Sequence, residues 1–143
     1  NGGYYIKPTL IKKNFYQNDR IRVINKNISE QINPILRKIV STKIGTANLA
    51  NIEGYDVGGK TGTAQKSING TYSGIACSFV AILPIDKPKY LVFVLIDEPK
   101  KPYAYGSTVA VPVAKEIIDS LIVLDKLPPS EKDNSLIVNK PLN

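Results

Sequence analysis

The sequence predicts an α+β fold in which an antiparallel sheet carries a C-terminal helix packed across it. Two observations point there. Three strand-like runs, Val57 to Lys66, Ile75 to Leu83 and Tyr90 to Asp97, follow one another through loops too short for parallel crossovers. After them Val113, Ala114, Ile117, Ile118, Leu121 and Ile122 recur at helical spacing, with Lys115, Glu116 and Asp119 on the opposite side. At 143 residues, 43% hydrophobic and 22% charged, the chain matches one folded domain able to bury a core.

The elements read in order as follows. Tyr4 to Lys12 and Ile21 to Ile24 are strand-like, joined by a polar turn over Asn14 to Arg20. Ile32, Ile35, Leu36, Ile39 and Val40 form one apolar face of a helix, with Asn27 or Ser29 as its cap and Pro34 near its first turn. A glycine-rich polar stretch, Gly45 to Gly59, leads into the three sheet strands. Ser67 to Gly74 and Pro84 to Lys89 are the loops between them. Tyr90 to Ile96 is almost wholly apolar, which predicts a strand covered on both faces. The last helix is expected near residues 108–125, and 126–143, with Pro128-Pro129, reads as a polar tail. The body therefore spans 1–125.

Composition removes whole classes of chemistry. With no histidine, the chain has no Ser-His pair and no imidazole ligand of its own. One cysteine, Cys77, allows no internal disulfide and no zinc cluster; in its apolar run it reads as a small buried residue. No metal or cofactor is expected. Nineteen basic against twelve acidic residues give a net charge of +7. The basic residues are scattered, and no nucleic-acid-binding signature accompanies them, so a solvated surface is the reading and nucleic acid is not an expected partner. There is no methionine and the chain opens on Asn1-Gly2-Gly3, so it is expected to be part of a longer product.

The informative residues are Gly58-Gly59-Lys60-Thr61-Gly62-Thr63-Ala64. A lysine and two hydroxyls close together on one strand, Lys60, Thr61 and Thr63, are expected to face one cleft and hold a carboxylate. Gly62 between them lets a ligand's backbone approach. Gly54 to Thr61 also satisfies the phosphate-loop pattern G-x-x-x-x-G-K-[ST]. That loop needs an apolar strand before it and a helix after it. Asn48 to Glu53 is mostly polar, and Thr63 to Gly74 has no helical period, so the nucleotide reading is set aside.

Lys60-Thr61-Gly62-Thr63 resembles the third motif of the penicillin-recognising serine enzymes. The likeness continues through Gly45-Thr46-Ala47, Gly54-Tyr55, Gly58 to Gln65, Ser78-Phe79, Asp97, Pro99, Tyr105-Gly106 and Val109 to Val113. In wording and spacing it is similar to the class B penicillin-binding proteins, their division-specific branch above all, over about residues 1 to 125. The resemblance implies an incomplete penicillin-binding transpeptidase domain of serine β-lactamase-like fold. It implies a D,D-transpeptidase that attacks the D-Ala-D-Ala end of a peptidoglycan stem peptide, forms an acyl-serine and passes the acyl group to an amine. β-Lactams would be trapped in the same site. Division proteins would be partners, and the domain would lie on the periplasmic side of a membrane-anchored bacterial protein. By the same resemblance Lys60 and Thr63 are the catalytic residues carried here. Lys60, Thr61, Gly62 and Thr63 bind substrate, and the Thr63 N–H forms half of the oxyanion hole.

Two departures matter. No Ser-x-x-Lys occurs, so the nucleophile is expected outside this chain and the chain alone is expected to be inactive. Ser67-Ile68-Asn69 matches Ser-x-Asn, but it follows the lysine motif instead of preceding it, and it reads as coincidence. A piece of a serine β-lactamase or β-lactam sensor, and a non-catalytic wall-binding domain, are the alternatives. The Tyr90 to Asp97 strand is further expected to expose an unpaired edge, covered by dimerisation, by strand swapping or by Tyr4 to Lys12.

Overall fold

The computed structural model describes residues 1–11 and 21–130. Along them run β1 (Tyr4–Tyr5), β2 (Ile21–Arg22), α1 (Lys26–Ser41), a 3₁₀ turn (Asn48–Ala50), β3 (Gly58–Ile68), β4 (Thr71–Leu83), β5 (Tyr90–Asp97), a π-helical turn (Gly106–Ala110) and α2 (Val111–Leu124). β3, β4 and β5 form one antiparallel sheet in that order, as the short connections require. β3 continues as strand after Thr63, where a phosphate loop would open a helix, and that settles the decoy motif.

The β3–β4 connection is tighter than the expected Ser67 to Gly74 loop. Asn69 and Gly70 sit at φ 52° and 79°, so they form a two-residue hairpin turn whose both central residues are left-handed. The Asn-Gly pair is the sequence signal for this turn. It lets the strands run on to Ile68 and restart at Thr71. The register slips beside Lys66: Lys66 faces Gly74 while Ser67 faces Tyr72, which leaves Ser73 as the extra residue of a bulge. Ser67 and Asn69 thus belong to a hairpin tip.

The core lies on one face of the sheet. Cys77, Phe79, Ala81 and Leu83 of β4 alternate inward with Val92 and Val94 of β5. Across them α2 lays Val111, Ala114 and Ile118, all fully buried. Pro112 falls in the first turn of α2, where a missing N–H costs nothing. The expectation that Tyr90 to Ile96 is covered twice does not hold. Leu91, Phe93 and Leu95 are 67%, 57% and 57% exposed, because α1 meets that second face only at its Gly58–Ile82 end and, among the described residues, nothing covers the rest. An apolar run records what a strand can bury; a second layer is needed to bury it.

α1 also starts earlier than expected. Asn25, rather than Asn27 or Ser29, is the cap, its side-chain oxygen accepting from the Asn27 N–H at 2.9 Å. Pro34 therefore stands in the helix interior, and the carbonyl it cannot bond is that of exposed Glu30. Of the predicted apolar stripe only Val40 is fully buried, while Ile32 and Ile35 stay exposed. Ile32 borders an open groove of about 470 Å³ that also involves Ile24, Leu36, Ile82 and Leu91. The groove opens on the same uncovered side of the sheet.

The N-terminal hairpin is shorter than expected. Tyr4 and Tyr5 pair with Arg22 and Ile21 and not with β5, and the polar turn expected over 14–20 lies outside the described residues. Beyond α2, Leu127 is 9% exposed and joins the core cluster. Ser130 is fastened to the stretch before β3: its N–H donates to Gly54 O at 2.7 Å, and its hydroxyl accepts from Asp56 N at 3.0 Å. So the first residues of the expected tail are strapped to the body; 131–143 lie outside the described residues.

Candidate functional site

β3 is an edge strand, so alternate N–H and C=O groups on its outer side have no strand partner among the described residues. Its start is held by one guanidinium. Arg37 of α1 donates from Nε to Asp56 Oδ1 at 3.0 Å, and from Nη1 to Asn51 Oδ1 at 2.9 Å and Val57 O at 3.2 Å. Arg37 and Asp56 are each about three-quarters buried, with side chains 24% and 23% exposed. The clamp sets where the strand begins, two residues before Lys60.

The register decides which way each motif residue points. Thr61 and Thr63 sit opposite Phe79 and Cys77, on the side of the sheet that carries α2. Lys60 and Gly62 sit opposite Val80 and Ser78, on the uncovered side with Phe93 and Leu95. The three polar side chains therefore do not share a face. A strand alternates with period two, and Lys60 and Thr61 are neighbours. They border common space only around the free edge.

Each motif side chain has a defined contact. Lys60 is exposed, and its Nζ donates to Thr61 O at 2.6 Å. Thr61 Oγ1 lies 3.1 Å from Thr46 Oγ1, so these hydroxyls share a hydrogen bond. Thr46 is carried by a rigid turn. Its neighbour Gly45 backs onto Ile39 O, 2.1 Å from where a Cβ would be, and buried Ala47 donates its N–H to the same carbonyl at 3.3 Å. Thr63 is exposed, and its Oγ1 accepts from Gly106 N at 3.1 Å. Thr46 and Gly106 were not among the predicted site residues. Both stand in short strings, Gly45-Thr46-Ala47 and Tyr105-Gly106, that the resemblance included, and only the tertiary contact gives them a place beside the motif.

At the far end of β3, Lys66 Nζ lies 2.7 Å from Asp97 Oδ1 and 2.9 Å from Glu98 Oε1. Hydrogen bonds to Asp97 and then Glu98 push its pKa above the ordinary lysine value. This exposed triad ties β3 to the end of β5. Cys77, opposite Thr63 on β4, is fully buried, as its apolar run predicts.

Residues 1–119 match the family model described as the penicillin binding protein transpeptidase domain. A peptidoglycan D,D-transpeptidase FtsI homolog of Mesostigma viride is 39% identical over 153 aligned residues, covering 91% of this chain and 26% of that protein. Stage V sporulation protein D of Bacillus subtilis is 43% identical over 103 residues, 70% of this chain and 16% of its own length. The chain thus spans about a quarter or less of these relatives. Among solved structures, the apo transpeptidase domain of Burkholderia pseudomallei penicillin-binding protein 3 superposes with a TM-score of 0.76 at 29% identity, covering 90% of this chain and 40% of that one. Penicillin-binding protein 3 of Mycobacterium tuberculosis in complex with ampicillin superposes at 0.68 with 27% identity, over 79% of this chain and 27% of that one.

Proposed function

The chain belongs to the penicillin-binding protein transpeptidase-domain family, and from there we propose that it is the C-terminal, substrate-binding part of a peptidoglycan D,D-transpeptidase working in septal wall synthesis. The observation that carries this reading is Lys60-Thr61-Gly62-Thr63 on the free edge of an antiparallel sheet, with the polar groups of one strand side open to a ligand.

In this reading a serine from another part of the longer protein attacks the carbonyl of the penultimate D-Ala of a stem peptide. The terminal D-Ala leaves, and an amine of a second strand takes the acyl group from the serine. The residues here bind and orient. Thr61 and Thr63 hold the terminal carboxylate by their hydroxyls, and Lys60 supplies positive charge to the same end of the cleft. The Thr63 N–H donates to the carbonyl oxygen as negative charge builds on it. Gly62 keeps the strand low enough for the substrate backbone to lie alongside. β-Lactams enter the same place, in keeping with the ampicillin complex of one structural relative. The uncovered sheet face and the exposed stripe of α1 support a larger domain, since they are apolar surfaces with nothing over them among the described residues. The site then lies on the extracytoplasmic side of the membrane, within reach of wall peptides and division proteins.

Labelling with a fluorescent penicillin tests the reading. The longer protein carrying this sequence is expected to be acylated, and residues 1–143 alone are not. Lys60→Ala in the longer protein is expected to slow acylation by about 10²–10³-fold, the usual loss when one preorganised charged or hydrogen-bonding group is removed. Full-rate acylation of the Lys60→Ala protein would remove the proposed role, and labelling of the isolated chain would place a nucleophile within it.

A further inference from the structure

The hydroxyl of Thr63 has two hydrogen-bonding functions, and the fold has already used one. Its oxygen accepts the backbone N–H of Gly106 at 3.1 Å. An N–H can only donate, so the Thr63 O–H proton is not spent on this contact and remains available as a donor. The donor belongs to a structured turn. Gly106 is buried and opens the π-helical turn Gly106–Ala110, a form of helix often found next to functional sites. A Cβ at this position would lie 2.6 Å from Ser78 O and 2.7 Å from Gly62 O, so only glycine lets the turn rest directly on β3 and β4.

The turn is itself braced from outside the cleft. Thr108 Oγ1 accepts from Tyr105 N at 3.0 Å and lies 3.1 Å from Tyr105 O, while Thr108 N donates to Tyr105 O at 3.0 Å. Thr108 is exposed and touches no residue of the Lys60–Thr63 motif through these bonds. A chain of contacts therefore runs from Thr108 through the Tyr105–Gly106 peptide to the Thr63 oxygen.

We propose that the Tyr105–Thr108 turn is a positioning device for Thr63: the Gly106 N–H anchors the hydroxyl oxygen and so presents its proton toward the carboxylate of the bound substrate or drug. The proposal rests on the transpeptidase reading above and adds to it where the strength of the Thr63 contact comes from. An unanchored threonine hydroxyl rotates and divides its time between donating and accepting. An anchored one meets an incoming carboxylate already oriented, which lowers the ordering cost of binding. The effect belongs to ligand capture and depends on the ligand's negative charge.

The test uses the full-length protein and compares two ligands, a penicillin with its free carboxylate and the same penicillin as its methyl ester. Gly106→Ala is the direct perturbation, but it forces the turn off β3 and can disturb folding. Thr108→Val removes the hydroxyl brace on the exposed side without adding bulk, and Thr108→Ser retains the hydroxyl. Thr108→Val is expected to weaken capture of the acid by about fivefold to tenfold, the range for one hydrogen bond, with the acylation step itself little changed. It is expected to leave capture of the ester unchanged, and Thr108→Ser is expected to restore capture of the acid. In a double-mutant cycle, Thr108→Val is expected to add nothing once Thr63 is Val. Equal losses for acid and ester, additive losses with Thr63→Val, or no loss for the acid would each overturn the positioning role. If the unmodified protein is not acylated at all, the transpeptidase reading fails first and takes this inference with it. If it is acylated but Thr108→Val fails as described, only this inference falls.

Discussion

Replacing Arg37 by Met is expected to unfasten the strand that carries the candidate site. The guanidinium makes a charge-assisted bond to Asp56 and neutral bonds to Asn51 and Val57 O, at 3.0, 2.9 and 3.2 Å. A charge-assisted bond contributes about 1.5–3 kcal/mol and a neutral one about 0.5–1.5 kcal/mol, before solvent is considered. The pair is 24% and 23% exposed, so water takes over part of what is lost, yet Asp56 would keep a mostly buried charge without its counterion. A net loss of about 2 kcal/mol follows, a little below the low end of that sum because water replaces part of it. For a chain between the small and mid-sized classes this lowers the Tm by about 8 °C. Lys at 37 keeps the charge toward Asp56 but cannot reach three acceptors in one plane, so Arg37→Lys should fall between the two. Urea unfolding followed by far-UV circular dichroism reads the difference as a shift of midpoint at constant slope. An Arg37→Met protein within about 0.5 kcal/mol of the original, or an Arg37→Lys protein equal to it, would refute the clamp.

Three further outcomes are expected. Ile118→Ala removes a fully buried α2 side chain from between the helix and the sheet, and should destabilise by about 2–4 kcal/mol in the same unfolding assay. Lys66 has a raised pKa in the fold, so what its pairing contributes is whole below the ordinary lysine pKa of about 10.4 and is lost as pH climbs through the raised value. The stability gap between the original protein and Lys66→Met should therefore be constant near neutrality and close at strongly alkaline pH; a gap that widens with pH would reverse the assignment. The outer edge of β5 has no strand against it among the described residues, and its exposed Leu91, Phe93 and Leu95 carry no charge. Residues 1–143 are expected to self-associate in sedimentation velocity and Phe93→Lys to oppose this, whereas a monomer at every concentration would show the edge to be inert.

Periodicity and turn length were enough to read the sheet order, the last helix and the buried place of Cys77. Each depends on local pattern: alternation within β4, the 3.6-residue period of α2, and connections too short to cross over. The motif Lys60-Thr61-Gly62-Thr63 was legible for the same reason, as adjacent residues on one strand. Local signals were also present where the reading missed them: Asn69-Gly70 marks the tight hairpin, and Asn25 competes for the cap of α1. What tertiary structure alone decided are quantities that depend on pairing between distant segments. The faces of Lys60 and Thr61 follow from strand register against β4. The exposure of Leu91, Phe93 and Leu95 depends on whether a second layer is present. The Arg37 clamp, the Thr46–Thr61 contact and the Gly106–Thr63 contact join residues 14 to 43 positions apart in the chain. A sequence specifies which side chains can bury or bond; the fold chooses their partners, because that choice depends on which backbones the packed core brings within 3 Å or so of one another.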